Sequence, residues 1–195
     1  MTLNLKTKLI VSLAVIIGSI TPAFASECNP QKLNEVFSLI AQRSSLEEGV
    51  AAYKFIQKKP VYDASVELNA LTNIRKIAVA NQVNPNDLMV FAQIQMDQAK
   101  FIQQYWINFW TTNADNQPDP AITPSIDSLK SQINALDDKM YSQLITNINE
   151  LQVCSQDEML KQMTKANGKI RGIPQNPNYN HLTVSAISNI SHQDQ

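Results

Sequence analysis

The chain has 195 residues and a formal net charge of −1, with 16 Lys and Arg against 17 Asp and Glu. Both signs are interspersed, so there is no electrostatic footprint for nucleic acid or an anionic membrane. The two histidines, His181 and His192, lie close to the C-terminus; no cluster of metal ligands can be assembled and no metal is expected.

In chain order, residues 1–25 have the three parts of a secretory signal peptide: Lys6 and Lys8, an apolar run from Leu9 to Ile20, and Ala23-Phe24-Ala25 as a small-x-small cleavage site. The alternative, a retained membrane anchor, is disfavoured because the run is shorter than the roughly 18 to 20 residues a bilayer span needs. Export to a periplasmic or extracellular location is therefore predicted, with no membrane association after cleavage. About 170 residues remain, enough for one core and too few for two comfortable domains. The predicted division is a helical domain over 26–168 and a flexible tail over 169–195.

Glycine is scarce, at four residues, and no hairpin signal separates alternating apolar runs, so the fold class is all-α. Asn29-Pro30 predicts a cap and first helical residue, followed by Leu33, Val36, Phe37 and Ile40 at helical spacing. Ser45 with Glu48 resembles a capping box, so this helix is expected to bend or restart there, and Pro60 ends it. Asp63 or Ser65 caps the next helix, with Leu68, Leu71, Ile74, Ile77 and Ala78 as its stripe. Asn84-Pro85 starts a glutamine-rich helix through Leu88, Phe91, Ile94, Ile102, Tyr105 and Phe109, whose glutamines are expected to line polar surface. Prolines break the pattern between Asn113 and Pro124. Ser125 then begins a helix whose apolar residues run three and four apart from Ile126 to Leu151. A short continuation after Cys154 closes at Gly168, and the Pro- and Asn-rich remainder predicts the mobile tail.

The chain has two cysteines. In an oxidising compartment Cys28 and Cys154 are expected to pair, with two buried free thiols as the alternative.

Arg43 and Lys54 stand 11 positions apart, about three helical turns, so they project from one side of a helix. Two such cations are ordinarily solvated. Here, however, Lys54 sits inside Val50-Ala51-Ala52-Tyr53-Lys54-Phe55, where a lysine must point at something polar. Arg43, this V-A-A-Y-K-F run, Pro60-Val61-Tyr62-Asp63 and Glu67 together resemble the first part of the all-helical (type II-like) chorismate mutases. Gln93-Ile94-Gln95-Met96 through Ala99-Lys100-Phe101-Ile102-Gln103 resembles that family's third active-site helix. Leu136-Asp137-Asp138-Lys139-Met140 resembles the extra helix of its secreted branch.

The resemblance implies conversion of chorismate to prephenate, a unimolecular rearrangement that needs neither cofactor nor nucleophile, only positioning and charge stabilisation. It implies catalytic roles for Lys54 and Gln103 as donors to the breaking ether oxygen. Substrate-binding roles fall to Arg43, Asp63, Glu67 and Lys139, and a homodimer is the family expectation. Two departures weaken the clamp: Lys139 stands where an arginine is usual, and Val66 replaces an expected arginine one residue before Glu67. Lys100 and Arg75 are the candidates to compensate. The rival reading is a weakened or inactive mutase-like fold that binds small anions or a partner; an unrelated exported helical adaptor is a third.

Overall fold

Asn29 and Asn84 each accept backbone N–H bonds at a helix start and are each followed by proline at the first helical position. Between and after these starts, the computed structural model describes residues 27–173 and 178–193. The leader over 1–25 lies outside the described residues. The helices are α1 (Pro30–Ser45), α2 (Glu47–Ile56), α3 (Ala64–Ala80), α4 (Pro85–Thr112), α5 (Ile126–Thr146), α6 (Ile148–Gln152), α7 (Gln156–Asn167) and α8 (Asn178–Ser188). A 3₁₀ turn at Ala114–Asn116 comes after α4. Among the described residues there is no β-strand, only an isolated bridge between Val83 and His192. No helix there is long and apolar enough to cross a membrane.

The break between α1 and α2 falls at Leu46, as expected, but not through a capping box: α2 has no side-chain cap, and Ser45 Oγ donates to the Gln42 carbonyl. Asp63 caps α3 and Ser125 caps α5. The long predicted stripe ending at Leu151 is interrupted at Asn147, whose side chain folds back on Gln143, so α5 gives way to the short α6.

The 28-residue α4 is the spine, packing against α2, α3 and α8, while α1 packs on α5 and α7. Leu33, Val36, Phe37 and Ile40 of α1 meet Leu88 and Phe91 of α4, Met140 and Leu144 of α5, and Met159 and Met163 of α7 in the main core. A second core gathers Ala51, Ala52, Ile102, Trp106 and Trp110 at the far end of α4. Trp106 and Trp110 stack at 5.4 Å between ring centroids.

Beyond Gly168 the structure corrects the expectation of a mobile tail. Val184, Ile187 and Ile190, three residues apart, are buried in the main core, and α8 lies across α4 and α7. Ser191 is then bonded back to the start of α4: Asn84 N–H donates to the Ser191 carbonyl at 2.9 Å, and Ser191 Oγ donates to Asp87 at 2.7 Å. Composition suggests mobility because polar residues separate these apolar positions, but a one-residue-wide stripe suffices when the partner surface is already formed. Ile187→Ala is accordingly expected to cost about 2 to 5 kcal/mol of stability, as for a buried residue. Urea unfolding measures it, and a loss near zero would mean the terminus is not part of the cooperative unit.

Candidate active site

The α1–α2 break sets a cation and an anion against each other. Arg43 lies in the last turn of α1 and Glu47 in the first turn of α2, where the helix dipoles favour positive and negative charge respectively. Arg43 donates from Nη1 to Glu47 Oε1 at 3.2 Å and from Nε to Asp137 Oδ1 of α5 at 2.7 Å. Glu47 is only 2% exposed. Its other oxygen, Oε2, accepts from Gln103 Nε2 of α4 at 2.6 Å. Gln103 in turn presents Oε1 to Lys54 Nζ of α2 at 2.8 Å, and Lys54 also donates to the Val61 carbonyl at 2.6 Å. An unbroken chain of hydrogen bonds thus runs Asp137–Arg43–Glu47–Gln103–Lys54.

Burial disfavours the Arg43 charge, but Asp137, then Glu47, more than offset it and hold the pKa above the ordinary guanidinium value. For Lys54 burial prevails: it lowers the pKa although Glu47, Asp63 and Glu67 oppose it. Burial also raises the Asp137 carboxyl against the pull of Arg43.

The remaining predicted positions divide. Glu67 pairs with Lys100 Nζ at 2.9 Å, and the same ammonium lies 2.9 Å from Asp97 and 5.4 Å from the centre of the Tyr62 ring. Glu67 is near enough to Lys54 to favour its charge. Asp63 is exposed and accepts from Ser65 N–H, Ser65 Oγ and Val66 N–H. The Ser65 hydroxyl and these amides keep its carboxyl below the usual aspartate range, so its visible work is that of a helix cap. Val66 is 55% exposed. Of the two candidates to replace its missing cation, Lys100 reaches Glu67, while Arg75 is exposed. Lys139 does not join the cluster: it is exposed and lines an outer groove between α1 and α5 with Ser38, Gln42 and Gln143.

Two features are hidden in the sequence. Glu47 is overshadowed by Glu48, which offers a capping box, although Arg43 and Glu47 have the i,i+4 spacing of a helical ion pair. The glutamines of α4 read as polar surface, yet Gln95, Gln98 and Gln103 are 3%, 3% and 6% exposed.

No protein-family model matches the sequence. Solved structures do. The secreted chorismate mutase from Yersinia pestis superposes with a TM-score of 0.69 at 19% identity, covering 86% of this chain and 100% of that one. A chorismate mutase from Burkholderia thailandensis gives 0.68 at 22% identity, over 80% and 99% of the two chains. One from Burkholderia phymatum gives 0.62 at 17%, over 81% and 96%. The chain has the fold of the secreted chorismate mutases. Nearly the whole length of each of these mutases is covered. Within this chorismate mutase fold, α1, α2, α4 and α5 bring Arg43, Lys54, Gln103 and Asp137 into one network, while Lys139 is turned to the outside.

Proposed function

We propose that the protein is an exported chorismate mutase. The observation that carries this reading is the convergence of Arg43, Lys54 and Gln103, from three helices, on one connected hydrogen-bond network. The rearrangement demands that a flexible dianion be held compactly while negative charge grows on its ether oxygen, and fixed donors in a low-dielectric site stabilise such charge far better than water does. Arg43 supplies a planar fork for a carboxylate, Lys54 an ammonium for the ether oxygen, and Gln103 an amide that donates without first binding a proton. Glu67 accepts from the substrate hydroxyl, Asp63 favours the Lys54 charge from the start of α3, and Lys100 provides the second ammonium on the side where Val66 offers none. Lys139 reaches the substrate only by swinging inward. The Cys28–Cys154 disulfide and the leader-like residues 1–25 support a periplasmic or secreted location, and a homodimer is the assembly we assign.

Incubating the mature protein with chorismate and following its disappearance with the appearance of prephenate tests the reading; no turnover overturns it. A second reading is favoured by one observation: Arg43 is already gripped by both Asp137 and Glu47. In that case the fold retains a site for small anions but has weak or no mutase activity, and chorismate raises the melting temperature saturably without being converted.

Gln103→Glu probes the amide. It sets a second carboxylate about where Nε2 now lies 2.6 Å from Glu47, and two carboxyls that close must share a proton. Above neutrality the variant is expected to lose about 10²- to 10³-fold in turnover, the scale of one lost donor, and to recover partly as the pH falls and the shared proton restores donation. Equal pH–rate profiles for the two proteins would remove Gln103 from the mechanism.

A further inference from the structure

Two of the groups that would grip an anionic substrate, Arg43 and Gln103, are already bonded to one of the protein's own acids, Glu47. Its carboxylate, 2% exposed, accepts from Arg43 on one oxygen and from Gln103 on the other. The orientation of the Gln103 amide is a consequence. Turned over, its oxygen would face the Glu47 carboxylate and its N–H groups would face the Lys54 ammonium, two repulsive contacts in place of two attractive ones. Glu47 therefore aims the acceptor end of Gln103 at Lys54, so that the ammonium and the amide nitrogen point to different places. Two donors meant for one developing oxyanion can converge only when the amide turns or its second N–H is used.

From this geometry we propose that Glu47 is a resident anion that self-neutralises the donors of the site and thereby sets its affinity for anionic substrate. The proposal rests on the mutase reading and deepens it, by assigning an affinity-determining role to a residue that does not itself touch substrate. A dianion entering the site must compete with Glu47 for the Arg43 and Gln103 donors, or take their remaining N–H groups, while lying beside a buried negative charge. Removing that charge removes both obstacles. It does not orphan Arg43, whose Nε keeps its 2.7 Å bond to Asp137.

The test compares wild type, Glu47→Gln and Glu48→Gln. Glu48 is the exposed neighbouring acid outside the network, so its variant controls for a general change in charge. Calorimetric titration with chorismate and with benzene-1,3-dicarboxylate, a dianion that cannot rearrange, gives Kd, and the mutase assay separates KM from kcat. Glu47→Gln is expected to lower Kd for both dianions and KM for chorismate by at least about tenfold, worth about 1.4 kcal/mol, with kcat changed much less. Should the Gln variant not fold, Glu47→Ala carries the same expectation. Unchanged or weaker binding in the Glu47 variants, equal tightening by Glu48→Gln, or no binding of either dianion by any of the proteins overturns the proposal. If no protein turns over chorismate but Glu47→Gln still tightens benzene-1,3-dicarboxylate, the mutase reading fails and the role of Glu47 stands.

Discussion

Lys54→Met is expected to reduce the conversion of chorismate to prephenate by about a thousandfold, equivalent to about 4 kcal/mol of transition-state stabilisation. The stem of methionine fills much the same space, so the loss isolates the ammonium. Lys54 sits between an amide oxygen and the Val61 carbonyl, and the neighbouring cations are engaged elsewhere: Arg43 is held on the far side of Glu47, and Lys100 is held by Glu67 and Asp97. The charge also gives the reaction a pH dependence of known sign. Burial lowers the Lys54 pKa from its ordinary value of 10.5, against the opposing pull of Glu47, Asp63 and Glu67. Under the proposed function the protonated form is the competent one, so turnover is expected to be full below the depressed pKa and to fall as the pH rises through it, sooner than a free lysine would dictate. The alkaline limb should vanish in Lys54→Met, leaving a low and pH-independent residue of activity. A variant as active as wild type, or one that retains the limb unchanged, would show that Lys54 does not contact the reacting atoms.

Much of the fold is legible because its punctuation is chemically explicit. Asn-Pro pairs at 29–30 and 84–85, Asp63 and Ser125 all cap helices where short polar side chains and proline predict it. The illegible parts depend on a partner surface. The stripe of α8 reads as a polar tail until α4 and α7 are in place to cover Val184 and Ile187. The interruption at Asn147 is a local competition between a side-chain bond to Gln143 and the helix ladder, which periodicity cannot register.

The same division runs through the site. Arg43 and Lys54 are recoverable from their spacing on one helical stretch, and Gln103 from resemblance; a break of only one residue at Leu46 preserves that spacing. Glu47 is hidden because an acid at a helix start has a sufficient local reason to be there, and only tertiary structure shows that it is buried against α4. Lys139 shows the converse: it falls within a recognisable motif, but Asp137, two positions earlier, takes the inward position and bonds Arg43. Neighbouring helical residues differ by about 100°, so two positions along α5 reverse the outlook of a side chain.

The largest stability effect is expected at the disulfide. Cys28 and Cys154 are bonded, with Cα atoms 4.5 Å apart and 126 positions between them in sequence. Their reading as a pair rather than two buried thiols is thereby settled. The nearby Lys32–Glu150 ion pair fastens the start of α1 to α6 far less firmly, since both side chains are about one-third exposed and such pairs contribute little. Closing so long a loop removes unfolded-chain entropy worth about 4 to 5 kcal/mol, a large part of the roughly 5 to 15 kcal/mol typical of a domain. The double replacement Cys28→Ser with Cys154→Ser is expected to lower the melting temperature by about 10 to 20 °C for a domain of this size, and reductant should do the same to wild type. A shift of only a few degrees would show that the cross-link restrains little in the unfolded chain. The rate at about 25 °C should not change with it. Leu33, Val36, Phe37 and Ile40 lie between the cysteine and Arg43 and are all buried in the main core, so α1 cannot fray from its bonded end as far as the site without unfolding the whole. The disulfide is therefore expected to act on how much protein is folded, and Lys54, under the proposed function, on what the folded protein does. Comparing the two variants by unfolding and by turnover separates those contributions.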